Sequence, residues 1–157
     1  MISTEGSSRG DFTFTTLLAG PDGIDLGQYK AGLVALENEW EPQDSEFNEE
    51  FIEDSAQHAW KAIILVSNEE RVIAYGSMST LRPEELELDA AFVSEPFRRQ
   101  GIYKRLVEGR VEIARQMGFK KVAMSTAETN KATGWLSEFG FTTLDSTESW
   151  YDFEMTL

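Results

Sequence analysis

Between residues 86 and 126 the apolar period of the sequence changes twice, and this limits the folds open to the chain. Leu86 to Val93 reads as a strand leading into Ser94-Glu95-Pro96. Beyond it, Ile102, Leu106, Ile113 and Met117 fall on one face of a long helix, with Gly118 where a left-handed C-terminal cap belongs. Lys121 to Thr126 is again a strand. No Pro/Gly/Ser-rich linker and no fixed repeat interrupts the order, so it belongs to a single fold. In a mixed α/β arrangement the strand-to-helix junction near residue 100 is the natural ligand site.

The flanks extend the pattern. Phe12 to Leu18, rich in Phe and Thr, reads as a first strand closed by the turn Gly20-Pro21-Asp22-Gly23. From Asp25 to Trp40 the apolar residues Leu26, Tyr29, Leu33, Leu36 and Trp40 recur at helical spacing, and a second helix is expected from Glu46 to about His58. Strands follow at Trp60 to Val66 and Arg71 to Leu81, joined by the hairpin loop Ser67-Asn68-Glu69-Glu70. A short helix from about Lys131 to Phe139 stops at Gly140. After it, Tyr151, Phe153, Met155 and Leu157 alternate with polar residues as in a half-buried strand. The expected fold is α/β, a three-layer α/β/α sandwich, formed by residues 11–157 as one domain after a flexible tail at 1–10.

Charge and composition narrow the function. Against 14 Lys and Arg stand 28 Asp and Glu, a net charge of -14, which argues against nonspecific binding to nucleic acid or anionic membranes. There is no cysteine, hence no disulfide, thiolate nucleophile, thiolate zinc site or iron-sulfur cluster, and the single histidine, His58, argues against a His-dependent triad or a multi-histidine metal site. His58 reads as a capping or packing residue, and no metal is expected. The longest aliphatic run, Ala62 to Val66, is far below the roughly 20 residues that span a bilayer. The N-terminus lacks the basic-then-apolar order of a secretory signal, so a cytoplasmic protein is expected.

Against this acidic background, residues 98 to 121 carry eight Lys or Arg (98, 99, 104, 105, 110, 115, 120, 121) and two Glu (108, 112). Backbone N–H groups at the start of the helix are unpaired by geometry and lie at the positive end of its dipole. Gly101 lets an oxyanion approach that backbone closely, so the segment can cradle a phosphate.

The same segment resembles the acyl-CoA loop of the GNAT family of N-acetyltransferases, whose pattern is Gln/Arg-x-x-Gly-x-Gly/Ala after a strand. Arg98-Arg99-Gln100-Gly101-Ile102-Tyr103 matches the first and second anchors, and the third departs, with Tyr103 in place of Gly or Ala. Asn130 after the next strand, Phe139-Gly140-Phe141 at the end of the following helix, and the element order agree with the resemblance. It implies a mixed central sheet and acetyl-CoA as co-substrate. The backbone of Phe92 and Val93 would pair with the pantetheine arm as a false strand, the N–H groups from Arg98 to Tyr103 would hold the pyrophosphate, and Asn130 would bond the arm.

Acyl transfer to an amine needs the free base, yet an ammonium of pKa about 10.4 is less than about 0.1% deprotonated at pH 7, a gap of roughly 4 to 5 kcal/mol. A nearby carboxylate or water chain is therefore expected to help. Glu87 and Asp89 share one face of the strand leading to the acyl site. In the histone-acetylating branch of the family the base is a Glu six residues before the position of Val93, which implies Glu87 here, with Asp89 as second candidate. A backbone N–H near Phe92 or Val93, freed by a bulge, would serve the acyl oxyanion. The family's usual general acid, a Tyr four residues before the Gly of Gly-Phe, falls on Leu136. Ser137, Tyr103 or water are the alternative donors.

Residues 37 to 54 contain nine Asp or Glu and no Lys or Arg. In the family this region borders the acceptor pocket, which implies a cationic acceptor: a polyamine, an aminosugar, or a protein lysine or N-terminus. The plainer account is a solvated face. Trp40, Phe47, Phe51 and Trp60 either line that pocket or belong to the core. The expected function is acetyl transfer to a primary amine, of a small molecule or a protein. The alternative is a coenzyme-binding or partner-binding module of the same fold that has lost the chemistry, and homodimerisation stays open.

Overall fold

A computed structural model of the chain describes residues 3–5, 12–42, 45–69, 71–127, 134–146 and 150–157. The strands are β1 (Ser3–Glu5), β2 (Phe12–Leu18), β3 (Trp60–Asn68), β4 (Arg71–Arg82), β5 (Glu85–Val93), β6 (Lys121–Ala127), β7 (Thr142–Ser146) and β8 (Trp150–Thr156). The helices are α1 (Lys30–Trp40), α2 (Ser45–Asp54), α3 (Ile102–Gln116) and α4 (Leu136–Phe139). All eight strands form one sheet in the order β1-β2-β3-β4-β5-β6-β8-β7. Neighbours run antiparallel except β5 and β6, which are parallel and are joined through α3.

The short aliphatic run in β3 explains the layering. Ile63 and Leu65 point to one face, where they pack with Leu33 and Leu36 of α1 and Ile52 of α2. Ala62, Ile64 and Val66 point to the other, where Leu106, Val107, Val111 and Ala114 of α3 cover the sheet. A strand buried on both faces reads as continuous apolar sequence instead of alternation. The three-layer sandwich with a mixed sheet is thereby realised.

Three expectations shift. Ser3–Glu5, within the segment expected to fray, pairs with Thr15 to Leu17, so β2 does not end the sheet with a bare row of backbone donors and acceptors. The second helix is α2 followed by a wider turn over Ser55–Ala59, and His58 stands exposed there with Nε2 4.0 Å from Asp54 Oδ1, neither capping nor packed. On α3 the buried stripe is Ile102, Leu106, Val107, Arg110, Val111 and Ala114, while Met117 is exposed. Lys131 to Thr133, given to the short helix by the sequence, lie outside the described residues. Among the described residues no helix is long and apolar enough to cross a membrane.

Helix α1 approaches the sheet closely because Gly32 faces Val72: a Cβ at residue 32 would lie 2.7 Å from Val72 Cγ2. Intrinsic helix propensity favours Ala over Gly by about 1 kcal/mol, whereas overpacking against a branched side chain costs about 1 to 3 kcal/mol. Gly32→Ala is therefore expected to lower stability in a denaturant titration, and Gly32→Ala with Val72→Ala to recover part of that loss.

Candidate functional site

Strands β5 and β6 pair only from Glu85–Lys121 to Leu88–Met124 and then part. Where they part, β5 carries a bulge: Gly76 faces Ala91 and Met78 faces Leu88, so β5 uses one more residue than β4 across this interval. The extra residue lies at Asp89–Ala90, earlier than the Phe92–Val93 position expected from sequence. A bulge bends its strand and sharpens its twist, which turns the end of β5 away from β6. Among the described residues no strand covers this edge of β5 from residue 89 to 93.

A fully buried cation fixes the bulge. Arg110 reaches from α3 to donate from Nε to Leu106 O (3.1 Å) and from Nη1 to Ser77 O (3.1 Å) and Asp89 O (3.4 Å). Its guanidinium occupies the space a side chain at Gly76 would fill, since a Cβ there would lie 2.9 Å from Nε. Burial lowers its pKa to about 10, against the opposing influence of Tyr103, Asp89 and Tyr75, and it stays charged at neutral pH. Because the C=O and N–H of a trans peptide point oppositely, holding Asp89 O toward α3 directs the Ala90 N–H to the other side.

The fork encloses an inner cavity of about 440 Å³, lined by Glu87 to Ala91 of β5, Met124 to Thr126 of β6, Tyr103, Arg110 and Trp40. Glu87 and Asp89 are thus brought together in one cavity. Burial raises the pKa of Glu87, and the neighbouring Asp89 carboxylate raises it further. Burial also raises that of Asp89, opposed by its hydrogen bond from Ser79 Oγ and by Arg110.

An outer cavity of about 710 Å³ adjoins it, walled by Phe92, Val93, Arg98, Arg99, Gly101, Ile102, Tyr103, Lys104 and Trp135 among others. Its loop alternates conformation: Arg98 is extended, and Arg99 and Gly101 have φ of 66° and 80°. Left-handed Gly101 directly precedes the right-handed first turn of α3, a pairing that turns successive N–H groups to one side in a concave arrangement suited to an anion. A Cβ at Gly101 would meet no atom within 4 Å, so the space above this glycine is clear for an oxyanion. The loop is tied to α1 through Glu39, which accepts from buried Ser94 Oγ (2.8 Å) and from Glu95 N–H (3.3 Å).

Several sequence expectations change in detail. The Arg98 N–H is spent on Glu95 O, so the free donors begin after it, and Arg98 Nε bonds Val93 O (2.8 Å), taking a carbonyl expected to pair with a ligand. Gln100 is exposed and belongs to neither cavity wall. Asn130 lies outside the described residues. The basic run is not one patch: Arg98, Arg99 and Lys104 line the outer cavity, whereas Arg115, Lys120 and Lys121 pair with Glu112, Glu84, Glu85 and Glu154 elsewhere. Of the aromatics, Trp40 stacks on Phe92 (5.1 Å between ring centroids, 8° between planes) and lines both cavities, while Trp60 is core and Phe47 and Phe51 are exposed on α2. Leu136, at the position of the expected acid, is wholly buried.

Arg110 counts in the sequence only as part of the basic run, which misses its buried role, and Trp135 is not singled out there. The first had a signal, an arginine on the apolar stripe of α3 four residues after Leu106, where a charge needs an internal partner. Trp135 sits after a stretch with no periodicity to place it.

The family model described as the acetyltransferase (GNAT) family matches residues 32–141. No curated protein matches the chain. Among solved structures, the chain is similar to PaiA N-acetyltransferase from Thermoplasma acidophilum in complex with coenzyme A (13% identity, 83% of this chain and 94% of that one, TM-score 0.62). It is also similar to ribosomal-protein-alanine N-acetyltransferase from Brucella melitensis (17%, 82% and 94%, TM-score 0.66) and to IAA acetyltransferase from Bacillus cereus (17%, 93% and 99%, TM-score 0.64). At these identities the likeness is one of fold.

The carboxylate pair has a stability signature. Glu87 ionises less readily folded than unfolded, so the folded state holds the proton longer and stability falls as pH rises through its folded pKa. Glu87→Gln removes that penalty. Its melting temperature is expected to exceed the parent's at pH 7, with the gap closing below about pH 4, where both forms of the parent are protonated.

Proposed function

Because the chain belongs to the acetyltransferase (GNAT) family, we propose that it transfers the acetyl group of acetyl-CoA to a primary amine, with Glu87 as general base. The observation that carries this reading is continuity. An anion cradle at residues 99 to 104, an uncovered strand edge at 89 to 92 and a carboxylate pair at 87 and 89 line adjoining cavities in that order. A coenzyme has the same order: a pyrophosphate, an amide-bearing arm that can bond to a strand edge, and a thioester. The cradle fits the pyrophosphate through the N–H groups of Ile102, Tyr103 and Lys104, which have no partner within the helix, and through the clear space over Gly101. Arg98, Arg99 and Lys104 supply positive charge around it.

In this reading the amine enters the inner cavity as an ammonium, attracted by Glu87 and Asp89. Burial and the neighbouring Asp89 carboxylate make Glu87 a stronger base than an exposed glutamate, which brings its pKa closer to the working pH. The Ala90 N–H, turned away from α3, supplies the donor for the carbonyl oxygen that gains charge. The acceptor is proposed to be cationic. The acidic α1–α2 segment supports this, and within it only Lys30 offsets charge, held by Glu53 and Glu49.

A second reading, a coenzyme-binding module without turnover, is favoured by one observation: Leu136 fills an apolar cluster where the resemblance implies an acid. Thermal unfolding with acetyl-CoA, followed by assay of thiol release with an amine panel, separates the two. Coenzyme at 100 times its dissociation constant is expected to stabilise the fold by about 2.7 kcal/mol, several degrees at this size. Gly101→Val, which fills the clear space and forces a branched residue into a left-handed conformation, is expected to abolish the shift. Glu87→Gln is expected to keep the shift and lower kcat about 10² to 10⁴-fold. In the parent, the acid limb of kcat/KM is expected above the range of an ordinary glutamate, since the base works only when ionised and its pKa is raised. A shift without thiol release would establish the module instead.

A further inference from the structure

We propose that Tyr103 is the proton donor to the departing coenzyme thiolate, taking the role that Leu136 cannot fill; this rests on the transferase reading above. The inner and outer cavities share three wall residues, Trp40, Ala91 and Tyr103. They frame the neck between the anion cradle and the carboxylate pair. A thioester linking an arm in the outer cavity to an acyl carbon beside Glu87 has to bring its sulfur through that neck. Of the alternatives raised by the sequence, Ser137 is exposed and lines neither cavity. Ser125 and Thr126 line only the inner one, so Tyr103 is the described hydroxyl common to both.

The hydroxyl is held in place. Tyr103 stands in the first turn of α3, and its side chain crosses the fork to hydrogen-bond Thr126 of β6. Its ring packs on the same apolar cluster that contains Leu136, so the hydroxyl absent at residue 136 has a counterpart bordering the same cluster. Burial raises the phenol's pKa, while Arg110 and Thr126 oppose the rise, so it carries its proton through neutral pH. The charged groups bordering these cavities are Glu87 and Asp89 from β5, Arg110 and Lys104 from α3, and Arg98 and Arg99 from the loop. The step balances. An acceptor that enters as an ammonium first gives one proton to Glu87, which passes it to solvent; the free amine nitrogen then bonds the acyl carbon and gives its second proton to Glu87. The C–S bond breaks with its electron pair going to sulfur, Tyr103 Oη gives its proton to that sulfur, and the phenolate recovers one from solvent.

The test uses the full chain, acetyl-CoA and hydroxylamine, a small nucleophile that is neutral at pH 7 and needs no acceptor recognition. Thiol release above the uncatalysed rate is followed together with acetyl-CoA affinity. Tyr103→Phe, which keeps the ring, is expected to lower kcat by about 10² or more with the dissociation constant changed less than about threefold. Difluorotyrosine incorporated at residue 103, which acidifies the phenol without removing it, is expected to move the alkaline limb of kcat to lower pH, a readout that a purely structural hydroxyl would leave in place. Unchanged turnover in Tyr103→Phe, or an alkaline limb indifferent to fluorination, overturns the proposal and leaves the transferase reading standing. A parent chain that binds acetyl-CoA but releases no thiol overturns both.

Discussion

Burying a guanidinium costs several kcal/mol unless its donors are used, and Arg110 uses them on two strand carbonyls at the bulge and on Leu106 O of its own helix. Ser77 O and Asp89 O lie on the two sides of the bulge, where an inserted residue breaks the ladder between β4 and β5. The arginine therefore compensates the defect that parts β5 from β6, and the defect supplies the acceptors that let the arginine be buried. Gly76 completes the arrangement, because any larger residue would contest the volume the guanidinium fills. The fork, its uncovered edge and the orientation of the Ala90 N–H all follow from this lock.

The lock also sets the electrostatics of the inner cavity. Burial raises the pKa of both carboxylates, and at Glu87 the neighbouring Asp89 raises it further. Arg110 and Ser79 act on Asp89 and oppose its rise, while neither is a cause of the shift at Glu87. The pair is thus split by environment. Asp89 lies under the influence of a permanent charge that also helps place the bulge, whereas Glu87 does not. An identical pair on a regular exposed strand would lack this difference.

Sequence periodicity reached the layers because each element buries a continuous face. The run from Ala62 to Val66, the stripe through Leu33 and Leu36, and Ile102 with Leu106 were legible for that reason. The turn at residue 101 was legible too, since a glycine between a strand and a helix carries its own conformational meaning, and Gly101 has the positive φ this requires. What stayed hidden depends on pairings between distant segments. The bulge at Asp89–Ala90 is a register relation between β4 and β5 and has no signature within β5 alone. The dispersal of the basic run follows in part from the acidic partners that the sheet brings beside Lys120 and Lys121. Trp40 read equally well as core or pocket because its helical spacing is the same in either case, and only its stacking on Phe92 at the fork separates the two.

The departures from the family pattern at residues 103 and 136 belong together physically. Leu136 N-terminally anchors α4, its carbonyl accepts from the N–H groups of Gly140 and Phe141, and its side chain is enclosed with Phe153 and Met155. A tyrosine there would have to place a phenol in a space filled by apolar atoms, with a buried hydroxyl seeking a partner. At residue 103 the opposite holds. The usual Gly or Ala would leave the neck of the fork open, whereas Tyr103 spans it to Thr126 and keeps its hydroxyl bonded at the boundary of the two cavities. The apolar side chain at residue 136 and the ring of Tyr103 border the same apolar cluster. Packing on one cluster couples the two sites, so a change at either one alters the room available to the other.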